Sequence, residues 1–144
     1  MGKRNRRRGI NPPTLPDQPP IPQARPSRRV SVSFRYTEPR GKFCLNQCGR
    51  HEVKGYESCL QKLTDRTWAE ILETGGKHKK TGLAYTKYRD SDLHKVRRPS
   101  DLSKELAISA VRASEKARLF GVYVYDEGVY YVLWFDRNHE IVPC

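Results

Sequence analysis

The sequence predicts an α+β domain: an antiparallel sheet of four to five strands with two helices on one face, preceded by a disordered, basic, proline-rich arm. Three observations predict it. Residues 119–125 and 129–135 are aromatic and β-branched runs on either side of Asp126-Glu127-Gly128, a three-residue break ending in Gly that signals a hairpin. Residues 51–64 repeat Val53, Tyr56, Leu60 and Leu63 at helical spacing. Residues 1–29 hold eight Lys or Arg, one acid (Asp17) and seven of the ten prolines, too little apolar surface to offset the entropy of ordering. The expected division is an arm over 1–29 and one domain over 30–144.

Taken in order, Val30, Val32, Phe34 and Tyr36 alternate with polar residues, which predicts a half-buried first strand that Pro39 and Gly41 end. The helix over 51–64 follows. Thr67 and Glu70 have capping-box spacing for a shorter helix whose apolar residues are Trp68, Ile71 and Leu72, stopped by Gly75-Gly76. Residues 77–99 read as a long basic loop with interleaved tyrosines. Ser100 or Asp101 is placed to cap one helical turn through Leu106, and 107–112 reads as a strand that turns at Ser114-Glu115 into the hairpin. Asp136-Arg137-Asn138 then leads into a short last strand over 139–142. The expected core is Phe34, Tyr56, Leu60, Leu63, Trp68, Leu72, Leu119 and Leu133, with the helix-free face of the sheet left for a ligand.

The formal charge of +12 and a pI near 9.8 favour a polyanionic partner, most often nucleic acid. No stretch approaches the ~20 apolar residues of a membrane span, and no apolar core follows the charged N-terminal run. The expectation is a cytoplasmic protein with no membrane partner. Arg4, Arg6, Arg7 and Arg8 in the arm, and Lys79, Lys80, Lys87, Arg89, Arg97 and Arg98 in the loop, are the candidate phosphate contacts. Tyr85 and Tyr88 are candidate stacking residues. A solubilising tail and a solvated connector are the plain alternatives.

Cys44, Cys48, His51 and Cys59 are the one metal-like cluster. Structural zinc sites usually arrive as two close pairs. The reading taken is therefore no metal and no cofactor, with Cys59 a small core residue, and zinc is the alternative.

Arg118 enters the hairpin and His139 follows it. An Arg fork matches phosphate and stays charged, while an imidazole moves protons near neutral pH. The alternatives are structural: Arg118 paired with Glu115 or Glu127, and His139 a turn residue bonded to Asp136. The order strand, helix, helix, basic loop, then antiparallel strands resembles the RelE/YoeB toxins, ribosome-dependent mRNA endoribonucleases of toxin–antitoxin systems. The motif that carries the resemblance is Glu115-Lys116-Ala117-Arg118-Leu119-Phe120 with Asp126-Glu127 following, similar to that family's acid-x-x-Arg-apolar entry to a central strand. His139 is similar in placement to the family's C-terminal His.

The resemblance implies an RNA endonuclease toxin that cleaves ribosome-bound mRNA by metal-independent acid–base chemistry and is neutralised by an antitoxin. Arg118, His139 and Glu115 are its expected catalytic residues. The family's upstream catalytic residue has no aligned counterpart within 77–106, where Asp92 and His94 stand in with Tyr131, and the chain closes on Pro143-Cys144 where a Tyr sits in the YoeB type. The second functional class is a non-catalytic RNA- or ribosome-binding protein, including a component of a phage-defence nucleoprotein complex.

Overall fold

The computed structural model describes residues 28–74 and 82–143. Seven regular elements follow one another: β1 (Ser31–Ser33), α1 (Arg50–Thr64), α2 (Trp68–Leu72), β2 (Thr86–Tyr88), β3 (Ile108–Arg112), β4 (Arg118–Val124) and β5 (Val129–Asp136). They build one five-stranded sheet in the order β1-β5-β4-β3-β2. The fold class is α+β, as expected, but the sheet is mixed, because β1 runs parallel to β5. Strands joined by tight turns must be antiparallel. β1 reaches the rest of the sheet only through both helices, so no hairpin dictates its direction.

Both helices lie on one face. Tyr56, Cys59 and Leu63 of α1 and Trp68 and Ile71 of α2 are buried in one cluster with Val111, Leu119, Val132 and Phe135. The 3.6-residue spacing places the three α1 residues on one stripe. The α2 capping box forms as the sequence predicts: Glu70 N–H donates to Thr67 Oγ1 at 3.2 Å and Thr67 N–H to Glu70 Oε1 at 2.9 Å. Trp68 then stacks on Tyr123 of β4, ring centroids 3.9 Å apart.

The opposite face is not open. Phe120, Val122, Leu133 and Trp134 of the sheet are buried there under Phe43, Leu102 and Ile141, which come from the connections 34–44, 89–107 and 137–143. The expectation of a bare, ligand-facing sheet surface is corrected by this second core. Continuous apolar runs on β4 and β5 are what a sheet covered on both faces requires.

A bulge lets β5 serve both cores. Phe120 pairs with Trp134 but Gly121 with Val132, so Leu133 is an extra residue on β5. Leu133 and Trp134 then both belong to the loop-side cluster while Val132 and Phe135 stay on the helix side. Gly121 is required opposite: a Cβ there would overlap the Tyr131 carbonyl oxygen and the Tyr130 ring.

Other expectations change at the element ends. β1 stops at Ser33 because Thr37 N–H turns back to the Phe34 carbonyl, which leaves Phe34 49% exposed and sends Tyr36 to the loop-side core. Leu72 is also exposed, at 48%, on the outer side of the short α2. Residues 100–106 form turns and bends rather than a helical turn, and 139–142 are bend and irregular chain with no last strand. β2 interrupts the expected loop. The arm as far as residue 27 and Gly75-Gly76 lie outside the described residues. Arg29, assigned to the arm, is already bridged to Thr67, and Val30 N–H donates to the Arg66 carbonyl.

Candidate functional site

Arg118 opens β4 opposite Asp136, the last residue of β5, with Arg112 on its other side. All three therefore belong to the loop-side face at one end of the sheet. The Arg118 Nη1 group donates to the carbonyls of Ser114 at 2.9 Å, Glu115 at 3.2 Å and Ala117 at 3.0 Å. This guanidinium nitrogen braces the turn between β3 and β4. Glu115 is exposed on that turn, and the contact Arg118 makes to it is through its backbone carbonyl.

Asp136 is fully buried, and its carboxylate accepts the backbone N–H groups of Glu140 at 2.9 Å and Ile141 at 2.8 Å. The chain is thus wrapped around a carboxylate between 136 and 141. His139 sits inside that wrap at φ 59°, a left-handed conformation that a residue with a Cβ adopts at a cost of ~1–2 kcal/mol. The two backbone amides that follow His139 hold the Asp136 carboxylate.

A second segment is tied to this turn. His94 N–H donates to the Ile141 carbonyl at 2.7 Å, so the backbone carrying His94 and Lys95 runs beside the one carrying His139 and Glu140. Lys95 also has positive φ, 69°. Of the three non-glycine residues with positive φ among those described, two meet here. Strained backbone concentrates where the surroundings over-determine it, commonly at functional sites. Glu140 Oε1 accepts from Lys95 Nζ and from Lys42 Nζ, each at 2.6 Å. Those two ammonium groups hold the Glu140 carboxyl down to about 2. His94 is exposed and His139 half-buried.

The residues of the basic loop divide. Arg98 has a side chain only 8% exposed, paired with Asp90 through Nη2 at 2.7 Å, and its Nη1 donates to the carbonyls of Ser103 at 2.8 Å and Leu106 at 2.7 Å. It organises the loop from within rather than facing a ligand. Tyr85 packs edge-on against Trp68, centroids 5.1 Å apart, and burial pushes its hydroxyl up. Tyr88 lies on the other side of β2 against Phe120 at 5.9 Å. Both rings, expected to stack on bases, are half-buried against the two cores, because a strand at that point sends alternate side chains to opposite faces of the sheet. Lys87, Arg89 and Arg97 are exposed, with Arg89 capping a short 3-10 turn, Asp90–Asp92, through its backbone N–H, which donates to Asp92 Oδ2 at 2.9 Å. Arg4, Arg6, Arg7, Arg8, Lys79 and Lys80 lie outside the described residues.

Cys44 is buried and its thiol donates to Asn46 Oδ1 at 2.8 Å and the Gly41 carbonyl at 3.0 Å. His51 is exposed at the start of α1 and Cys59 is in the core, where burial raises its thiol to about 12. Among the described residues no three His, Cys, Asp or Glu side chains gather closely enough to hold a metal ion. None of their helices is long and apolar enough to cross a membrane.

Lys42 and Glu140 carry no signal in the sequence, since 42, 95 and 140 are distant in the chain and belong to no shared pattern. His94 was visible only as a stand-in. Compared with protein-family models, with curated proteins and with solved structures, the chain matches none.

Proposed function

We propose that this protein is an endoribonuclease that binds RNA through its basic surface and cleaves it at the patch where residues 94–95 meet residues 139–140. One observation carries the reading: two imidazole-bearing segments and two ammonium groups converge there, joined by the His94 to Ile141 hydrogen bond and by Glu140. Cleavage of RNA by its own 2′-hydroxyl needs three things. A base takes the hydroxyl proton, cations hold the charge gathering on the phosphorus oxygens, and an acid protonates the departing 5′-oxygen. His139 and His94 supply the proton-moving groups, Lys42 and Lys95 the cations. Arg118 is a positioning residue, bracing the end of the sheet from which the Asp136 turn departs. In its setting the protein acts as a RelE-like toxin in the cytoplasm, on ribosome-bound mRNA, with an antitoxin as partner. The strand, helix, helix, four-strand order supports that setting.

The engagement of Arg118 Nη1 by three carbonyls favours a second reading, a non-catalytic RNA- or ribosome-binding protein. Purified protein incubated with a labelled RNA distinguishes the two. On the endonuclease reading, cleavage by wild type is lost in His139→Asn and His94→Asn, each prepared identically and each with an unchanged melting temperature. Asn is chosen at 139 because it tolerates positive φ. Tight binding with no cleavage by wild type, and no growth arrest on expression, sinks the endonuclease reading in favour of the second.

A further inference from the structure

We infer that Lys42 and Lys95 form a seat for a terminal phosphate group, filled in the free protein by the carboxylate of Glu140. The occupant of the seat is a phosphorylated RNA end, lying where the scissile phosphate gathers its second negative charge during cleavage, and that part rests on the endoribonuclease reading above; the seat itself rests on geometry. Both Nζ atoms lie 2.6 Å from one and the same carboxylate oxygen. Two ammonium groups that close repel one another unless an anion stands between them, so the position is selective for negative charge. A single carboxylate leaves one positive charge over. A phosphate monoester carries between about −1.5 and −2 near neutral pH and offers three acceptor oxygens, so it balances both lysines where a carboxylate or an internal phosphodiester balances one.

The protein can release Glu140 cheaply. The turn is held by the Asp136 carboxylate on the Glu140 and Ile141 backbone amides and by the His94 to Ile141 bond, not by the Glu140 side chain. Rotation of that side chain therefore empties the seat without moving His139. The lysines are half-exposed, at 51% and 54% of their side-chain area, so an incoming group reaches them from solvent. They come from different connections, 34–44 and 89–107, and the backbone at Lys95 has a positive φ. A phosphate bound there would stand beside the histidine-bearing segments; attack by the 2′-hydroxyl leaves a 2′,3′-cyclic phosphodiester and a 5′-hydroxyl, and a 3′-phosphomonoester able to balance both lysines forms once water opens that ring.

The test is equilibrium binding, at fixed ionic strength, of one short RNA sequence in three forms: 5′-phosphorylated, 3′-phosphorylated and unphosphorylated. Wild type is expected to prefer a phosphorylated end by about three- to tenfold, the scale of one or two exposed ion pairs. Lys42→Met and Lys95→Met should each abolish the preference, and Glu140→Gln should enlarge it. Equal affinity for all three forms in wild type and in Glu140→Gln overturns the proposal. If Glu140→Gln does not fold, the two lysine variants decide alone, since a preference that survives both cannot arise at this seat. Lysine-dependent binding of inorganic phosphate with no preference among the RNAs would assign the seat to a small phosphate compound and overturn the RNA-end claim. Because cleavage is scored separately, a phosphate preference in a protein that never cuts RNA leaves the seat standing and removes only the endonuclease reading.

Discussion

The single guanidinium of Arg98 holds the connection over 89–107 together from within. In sequence it is one of many cations in a basic stretch, and nothing nearby marks it as different. In the fold it is nearly buried, pairs with Asp90 and satisfies two carbonyls of the following turns. Arg98→Ala is therefore expected to cost about 2–4 kcal/mol, because a carboxylate and two carbonyls lose their donor together. Chemical denaturation measures it, and a cost below ~0.5 kcal/mol, the surface range, would contradict the assignment. Glu140 gives a pH prediction of the opposite kind. Its carboxyl is lowered from 4.5 to about 2, so the stability it contributes is complete above pH 4.5 and disappears as pH falls toward 2. Glu70, Asp90 and Asp92 are lowered in the same direction by their own donors. Glu140→Gln should consequently flatten part of the acid-side loss of stability in that window and leave the neutral side of the profile unchanged in shape. Its exposure and solvent screening keep the effect small.

Elements were legible in the sequence in proportion to their length and periodicity. α1, the α2 capping box, β3 and the β4–β5 hairpin follow directly from spacing and turn chemistry. β2 has three residues and is recognised only by its pairing with β3, which no local pattern encodes. The bulge at Leu133 was likewise hidden: strict alternation would put Leu133 and Trp134 on opposite faces, and only the requirement of two cores puts both on one. Gly121 is the other half of that arrangement. Gly121→Ala is expected to destabilise by about 1–3 kcal/mol or more, since the added methyl meets backbone and a buried ring that cannot yield cheaply. A melting temperature equal to wild type would show that β4 and β5 are not paired in this register. The same two-core requirement explains why the expected open face is absent, and why Tyr85 and Tyr88 each lie half-buried against a core.

For the whole molecule, the charge of +12 sets the expected partner and the histidine-bearing patch sets the expected chemistry. The composition pointed to the first, while the second needed the fold: residues 94, 95, 139 and 140 meet only because the connection over 89–107 lies against the turn after β5. RNA affinity should fall steeply with salt, as phosphate contacts require. Removing residues 1–27 should weaken binding most at low salt and leave the melting temperature nearly unchanged, because the bridges at Arg29 and Val30 are retained. Cleavage is the sharper claim. The most direct measurement is single-turnover cleavage of a labelled RNA by wild type, His139→Asn, His94→Asn and the double variant, at matched saturation with RNA. Each single variant is expected to lose about 10²–10⁴-fold, the usual worth of a proton-moving residue, with RNA affinity retained. Undiminished cleavage in the double variant would contradict that claim.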